Sequence, residues 1–308
     1  MTPFSRPRGV RGAAALAAML ILVAGCGSSG GDSSGGQSDG PALGDTVTLP
    51  IPSTELTLLD PGAEPRTILG GPLPDAASSE VPVFSSVDVH QTIDSDPEQD
   101  FSSPAVTMNL SATAGADGAI DMRIHNPSSP DPGLADVIGS AEGAELSVTV
   151  DDRRAISELR ITPTADSSDT VRATLEQAIY QIVYRSVAVP EDPVGVGARW
   201  EFTQTVDSGL ILSQTTTATV REIDGTSAVI DLVVTQRPTS DTWTLPQDAG
   251  TLRVDSYTTS GTGSVTLDAQ QPLPTAGNIS LQGEQVFSDP NSTTRLQQRT
   301  ANVLRYGN

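Results

Sequence analysis

The chain has 308 residues and a formal net charge of −21, with 38 acidic residues against 17 basic ones. This acidity excludes a nucleic-acid partner, because binding to phosphate backbones requires clustered positive charge. Every basic residue is an arginine, which also excludes P-loops, Schiff-base enzymes and Ser–Lys hydrolases.

The N-terminus has the pattern of an export signal. Residues 1–25 contain three arginines and then an apolar run, 13–24, that is shorter than the roughly 20 residues of a membrane-spanning helix. The run ends in the sequence LVAGC, which resembles the bacterial lipobox. The resemblance implies cleavage after Gly25, diacylation of the Cys26 thiol and anchoring to the outer face of the cell membrane. An ordinary cleaved signal with an incidental cysteine is the alternative.

Three regions follow this signal. Residues 26–40 begin with Cys26 and are otherwise rich in Gly and Ser, a composition typical of a flexible tether. Residues 41–80 contain seven prolines and favour an extended segment, with room for short strands at 46–49 and 56–58. Residues 81–308 are predicted to form a single antiparallel β domain.

Most of the region 81–308 alternates apolar and polar residues, which is the period of a half-buried strand. Asp-Gly turns at 117–118 and 224–225 separate several of these runs. The predicted strands lie at 81–93, 106–112, 120–124, 146–150, 156–161, 200–206, 210–220 and 228–234, with four more around 252–254, 265–267, 279–281 and 296–304. This pattern predicts an antiparallel sheet with one buried face.

One helix, at about 168–187, interrupts the strands. Ser168 or Asp169 can cap it, and Pro190 follows its end. Its apolar stripe consists of Val171, Leu175, Ala178, Ile179, Ile182, Val183 and Ser186. The stripe leaves Gln181 and Arg185 on the wetter sides. The predicted fold is therefore mainly β: a curved antiparallel sheet or half-barrel in two sequence halves, with this central amphipathic helix packed on it.

The segment after the helix reads PEDPVGVGARW from Pro190 to Trp200. It resembles an uncharacterised lipoprotein family of actinobacteria, the high-GC Gram-positive bacteria, in which a central helix precedes a P-V-G-V-G-A-x-W motif. The resemblance implies the same order of parts and the same location, and it implies no activity. Gly195 and Gly197 predict close backbone approach or unusual backbone angles, and Trp200 predicts a buried strand start.

The residues that carry chemistry form no recognisable catalytic or metal motif. His90 and His125 are the only histidines, and each fits an outward position on a strand. There is no G-x-S-x-G elbow. The acidic run 94–100 lacks the glycine of an EF-hand loop and is interrupted by Pro97, so a solvated loop is the simpler interpretation. We therefore predict no cofactor, no metal and no catalytic residues.

These observations favour a non-enzymatic envelope protein that binds a hydrophobic or lipid-like ligand between the sheet and the helix. The candidate lining residues are Leu175, Ile179, Ile182, Val183 and Trp200. The alternative is a structural or interaction lipoprotein that binds an envelope protein partner and no small ligand. An enzyme is a third possibility, for which the sequence offers no supporting constellation.

Overall fold

The structure is a computed structural model, and it describes residues 46–245 and 249–307. The predicted signal peptide, Cys26 and the tether lie outside the described residues.

The first half of the described chain contains eight strands, a one-turn helix and two short 3-10 helices. The strands are β1 (Val47–Pro50), β2 (Glu55–Asp60), β3 (Ser78–Ile93), β4 (Gln99–Asp100), β5 (Ser103–Ala114), β6 (Ala119–Ser128), β7 (Glu145–Val150) and β8 (Ile156–Thr162). The helix α1 is Pro132–Ala135, and the 3-10 helices are Ala116–Gly118 and Ile138–Ala141.

The long helix α2 (Asp169–Tyr184) separates these elements from the second half. The remaining strands are β9 (Arg199–Asp207), β10 (Ile211–Asp224), β11 (Ser227–Pro238), β12 (Thr242–Thr244), β13 (Thr251–Asp268), β14 (Ala276–Ser288) and β15 (Arg295–Tyr306). The predicted pattern of many strands and one central helix is confirmed.

All fifteen strands belong to one open antiparallel sheet, in the order β1-β8-β7-β6-β5-β3-β15-β14-β13-β11-β10-β9-β2. The short strands β4 and β12 pair with β3 and β13 outside this path. Apart from β2, which lies beside β9, strands of the first half are neighbours on one side and those of the second half on the other. The two blocks meet where β3 pairs with β15, from Val83 opposite Tyr306 to Ile93 opposite Leu296.

The two ends of the sheet come from neighbouring parts of the chain. Strand β1 pairs with β8 at one end, strand β2 pairs with β9 at the other, and only residues 51–54 connect them. The sheet therefore begins before residue 81, and the proline-rich segment supplies both of its edge strands. Ile51, in the connection, is buried in the core of the first half.

Helix α2 begins where the sequence predicts, because the Ser168 hydroxyl accepts a hydrogen bond from the Val171 N–H at 3.3 Å. It ends at Tyr184, slightly before the predicted boundary, with Arg185 as the C-cap residue. The helix contacts strands β3, β5 and β8. Its residues Leu175 and Ile179 belong to the hydrophobic core of the first half.

The glycine-rich motif after α2 fixes the segment that follows β2. A Cβ atom on Gly195 would lie 1.7 Å from the Ala63 carbonyl oxygen, and Gly197 has a φ of +82°. These two positions require glycine, since any other side chain would clash or be strained. The indole of Trp200 is fully buried and donates a hydrogen bond to the Ala188 carbonyl at 2.8 Å, so its predicted burial is confirmed.

The sequence prediction differs from the structure at β13. The segments around 252–254 and 265–267, predicted as separate strands, form one strand of 18 residues with a bulge between Val254 and Ser256. The positions between them carry little apolar signal. Gly261 and Gly263 are glycine because a Cβ atom at either position would press on β14, 2.8 Å from the side chains of Leu281 and Ile279 respectively.

Candidate functional site

The last turn of α2 is buried on every side. Gln181, Ile182, Val183, Tyr184 and Arg185 each expose 9% or less of their surface. The prediction that Gln181 and Arg185 lie on the wetter sides is therefore wrong. An isolated helix places them away from its apolar stripe, but here the strands of the second half cover that side as well.

A cavity of about 190 Å³ lies beside this turn, and we call it the polar cavity. Gln181, Tyr184 and Arg185 line it from the helix, and side chains from β3, β5 and β9 to β15 complete it. Its rim includes the half-buried Tyr180 and the exposed Asp207. At about 30 Å³ for a water molecule, the space corresponds to about six water-sized groups.

Arg185 places a positive charge at this cavity. Its Nη1 donates to the Gln214 side-chain oxygen at 2.7 Å and to the Tyr184 carbonyl at 3.3 Å. Within 46–245 and 249–307, no carboxylate lies within 4 Å of its guanidinium. Burial lowers the pKa of Arg185 to about 10, and the nearby Tyr257 partly offsets that decrease. The side chain therefore remains a cation at neutral pH.

A network of glutamines holds Arg185 in place. The Gln214 side-chain nitrogen donates to the Tyr184 carbonyl at 2.7 Å and to the Gln204 side-chain oxygen at 3.2 Å. The Gln214 oxygen accepts from Arg185 and, at 3.0 Å, from the Gln236 side-chain nitrogen. The amide of Gln214 thus uses both of its N–H groups and both lone pairs, which fixes its orientation.

Several other polar atoms that line the polar cavity lack a partner. Eight buried side-chain nitrogen or oxygen atoms in the described residues form no hydrogen bond, and five of them belong to residues that line this cavity. The five are Gln181 Oε1, Trp243 Nε1, Gln285 Oε1, Gln298 Nε2 and Asn302 Oδ1. Buried polar atoms are rarely left unpaired in native proteins, so this concentration indicates a place where water or a ligand supplies the missing bonds.

Aromatic and aliphatic side chains also line the polar cavity. The rings of Trp243 and Phe287 lie 5.0 Å apart, and Leu210 and Leu212 belong to the same hydrophobic cluster. Burial, assisted by the charge of Glu176, raises the pKa of the Tyr180 phenol to about 12, so this rim residue stays neutral. The cavity therefore offers both polar, positively charged groups and apolar surface, which suits a small amphipathic molecule.

The five residues predicted to line one ligand cavity lie in three different places in the structure. Ile179, Ile182 and Val183 line a second cavity of about 90 Å³ against strands β5 to β8. Leu175 is buried in the same hydrophobic cluster but does not line this space. Trp200 lies in a different cluster, with Ala188 and the strands of the second half. The second cavity has about half the volume of the polar cavity, and both are below the roughly 300 Å³ at which drug-sized ligands are usually held.

Sequence reasoning missed the polar cavity, although a signal for it exists. Five glutamines occupy inward positions of strands, in the same phase as buried apolar neighbours, and each is at most 7% exposed: Gln204, Gln214, Gln236, Gln285 and Gln298. An inward glutamine in one strand is unremarkable. Glutamine in place of an apolar residue at an inward position of five strands in one sheet indicates a shared polar interior.

The outer face of the sheet carries a chain of hydrogen bonds between Ser111, His125 and Glu142. The Ser111 hydroxyl lies 3.0 Å from His125 Nε2, and His125 Nδ1 lies 3.1 Å from a Glu142 carboxylate oxygen. A hydrolytic triad has the same connections. A working triad also needs hydrogen-bond donors aimed at the oxyanion that develops on the substrate. The backbone N–H groups around Ser111 are already bonded within the sheet, because β5 lies between β3 and β6.

The described residues contain no group of three or more His, Cys, Asp or Glu side chains arranged to hold a metal ion. The acidic segment 94–100 makes local contacts instead, since Asp94 accepts from the Arg295 N–H at 2.8 Å and Glu98 pairs with Arg299. Across the same residues, no helix is both long enough and apolar enough to span a membrane.

No protein-family model and no curated protein matches this chain. Among solved structures, the chain is similar to OmpTdeltaL8, a loop L8 deletion mutant of the outer membrane protein OmpT of Vibrio cholerae. The sequence identity is 7%, the match covers 74% of this chain and 99% of that chain, and the TM-score is 0.16. With a TM-score this low, the similarity transfers neither fold nor function.

Proposed function

We propose that this chain is an envelope lipoprotein, anchored through an acylated Cys26 to the outer face of the cell membrane, that binds a small amphipathic ligand in the polar cavity. The observation that carries the binding function is the set of five unpaired, buried polar atoms around one cavity. Each such atom destabilises the ligand-free protein by about 1–3 kcal/mol. A purely structural core would replace them with apolar groups of the same shape.

The proposal includes a sheet that curves around α2. Thirteen strands lie on the main path of the sheet, and at about 4.8 Å per strand a flat sheet would be about 58 Å wide. The connection 51–54 joins the two edge strands, and it spans at most about 18 Å. These two lengths support strong curvature, which encloses the helix and gives the cavity its walls on three sides.

At Ile179, Ile182 and Val183, where a hydrophobic ligand is expected, we propose that only a small apolar group binds. The cavity at these residues holds about 90 Å³, or about three water-sized groups. It has room for the end of an apolar chain and no room for a whole lipid. The polar cavity, which is lined by both a buried charge and aromatic rings, is the better site for the recognised part of the ligand.

A structural or interaction lipoprotein is the second candidate. The observation that favours it is an exposed apolar group next to the edge strand β2, where Leu59, Ile68 and Val196 expose 49%, 53% and 49% of their surfaces. Edge strands present unpaired backbone groups to other chains. On this second proposal, an envelope protein would pair with β2 and cover these side chains.

Native mass spectrometry of protein released from its own envelope tests the binding function. We expect a bound species beyond the acyl anchor, and we expect Gln298→Met to lower its occupancy about tenfold because Gln298 loses its bond to the ligand. Gln297→Met, at the exposed neighbouring position on β15, is the matched control. Wild-type protein with no bound species, or equal occupancy in the two variants, would contradict the proposal.

A further inference from the structure

The charge on Arg185 is unusual in a buried position. The residue is 7% exposed, and arginines buried to this extent are normally paired with a carboxylate. Asp207 also lines the polar cavity, but it is exposed at the rim and lies more than 4 Å from the guanidinium. The remaining ionisable side chains that line the cavity are Tyr180, Tyr184 and Tyr257. Burial raises the pKa of all three phenols, so they are neutral.

The hydrogen bonds of Arg185 leave one side of the guanidinium open. Nη1 is used by Gln214 and the Tyr184 carbonyl, whereas Nε and Nη2 form no hydrogen bond to any residue that the structure describes. The Nε–H group and one Nη2–H group point in the same direction and form a fork. This fork matches two oxygens of a carboxylate or a phosphate.

We infer that the ligand of the polar cavity carries an oxyanion, a carboxylate or a phosphate, which binds side-on to Nε and Nη2 of Arg185; this inference rests on the proposed binding function. Other polar atoms of the lining residues are available to the ligand. Gln298 Nε2 is unpaired, and the amide of Gln181 can rotate to offer an N–H group, whereas Gln285 Nε2 already donates to Thr259 and Thr300. The apolar part of the ligand then lies against Phe287 and its neighbours.

Four six-carbon probes separate the charge of the ligand from its apolar part: hexanoate, hexyl phosphate, hexanol and hexyltrimethylammonium. Titration calorimetry with the whole chain carrying Cys26→Ala avoids detergent, which would compete for an amphipathic site. We expect the anions to bind at least about 30-fold more tightly than the alcohol or the cation, as is typical when a buried charge gains its partner. The tighter of the two anions identifies a carboxylate or a phosphate source.

Variants test the role of Arg185 directly. Arg185→Met should reduce the affinity for the tighter anion to that for hexanol, and Arg185→Lys should give an intermediate affinity because it keeps the charge without the fork. Arg172→Met, on an earlier turn of α2 and outside the lining of the polar cavity, is the matched control and should bind like wild type.

The outcomes distinguish the two levels of the argument. Equal binding of hexanol and the anions, or unchanged anion binding in Arg185→Met, would overturn the anion inference and leave the binding function standing. If none of the four probes binds and the native protein carries no ligand, both the inference and the proposed function fail. The comparison of probes on the wild-type cavity remains decisive even if an Arg185 variant does not fold.

Discussion

Replacing Arg185 with methionine should make the ligand-free protein more stable. The pKa of Arg185 falls from 12.5 to about 10 on burial, and since a tenfold change in proton affinity is about 1.4 kcal/mol, the buried charge costs the native state about 3 kcal/mol. Methionine fills a similar volume without charge. It loses the hydrogen bond to Gln214, and a bond made by a charged group contributes about 2 kcal/mol. The expected net gain is therefore about 1 kcal/mol.

The assay is urea unfolding at pH 7, followed by tryptophan fluorescence after the removal of any bound ligand. Arg172→Met is again the control, with an expected change below about 1 kcal/mol, because Arg172 is partly exposed and pairs with the exposed Asp169 and the half-buried Glu176. The pH dependence has a defined sign. The native state holds the Arg185 proton less tightly than the unfolded chain, so the penalty is complete below pH 10 and fades as the pH rises from about 10 towards 12.5.

The difference in the free energy of unfolding between Arg185→Met and wild type should therefore be constant near neutral pH and shrink only at high pH. A ligand-free Arg185→Met protein that is less stable than wild type by more than about 1 kcal/mol would refute this reasoning. Such a result would mean that the Arg185 guanidinium stabilises the fold without a bound anion.

Two further predictions concern the core and the anchor. Trp200→Ala should destabilise the domain by about 3–5 kcal/mol, because it removes a fully buried indole and its hydrogen bond to the Ala188 carbonyl. Urea unfolding measures this loss of stability. A loss below about 1 kcal/mol would contradict the prediction. Cys26→Ala should release the protein from the membrane without unfolding the domain, as judged by fractionation and circular dichroism. A variant that stays quantitatively in the membrane fraction would rule out the lipid anchor.

Local signals in the sequence were enough to predict most elements of the fold. Alternating valines from Val81 to Val89 predict β3, and Ser168 with the following apolar stripe predicts α2 within a few residues. The order of strands was not predictable, because the pairing of β3 with β15 joins residues about two hundred positions apart. No local pattern encodes such a register. The long strand β13 was divided because its middle inward positions are threonine and glycine.

The candidate site was less accessible to sequence reasoning than the fold. The apolar stripe of α2 correctly identified buried residues, but burial alone did not make Leu175 part of a cavity wall. The polar cavity depends on residues from a helix and nine separated strands, β3, β5 and β9 to β15, and each looks ordinary in its own segment. In the sequence, Arg185 lies off the apolar stripe of α2, a position that is usually exposed. It is buried because strands from the second half of the sheet pack over it.

The central position of β15 sets the order in which this chain can fold. This strand is the last in chain order among the described residues, yet it joins the two blocks of the sheet by pairing with β3 on one side and β14 on the other. During synthesis the N-terminal strands are made first and must wait, since β2 finds its partner only when β9 has been made. Contacts this distant in sequence fold slowly. A chain shortened before Arg295 would leave two separate half-sheets, each with an unpaired edge open to aggregation.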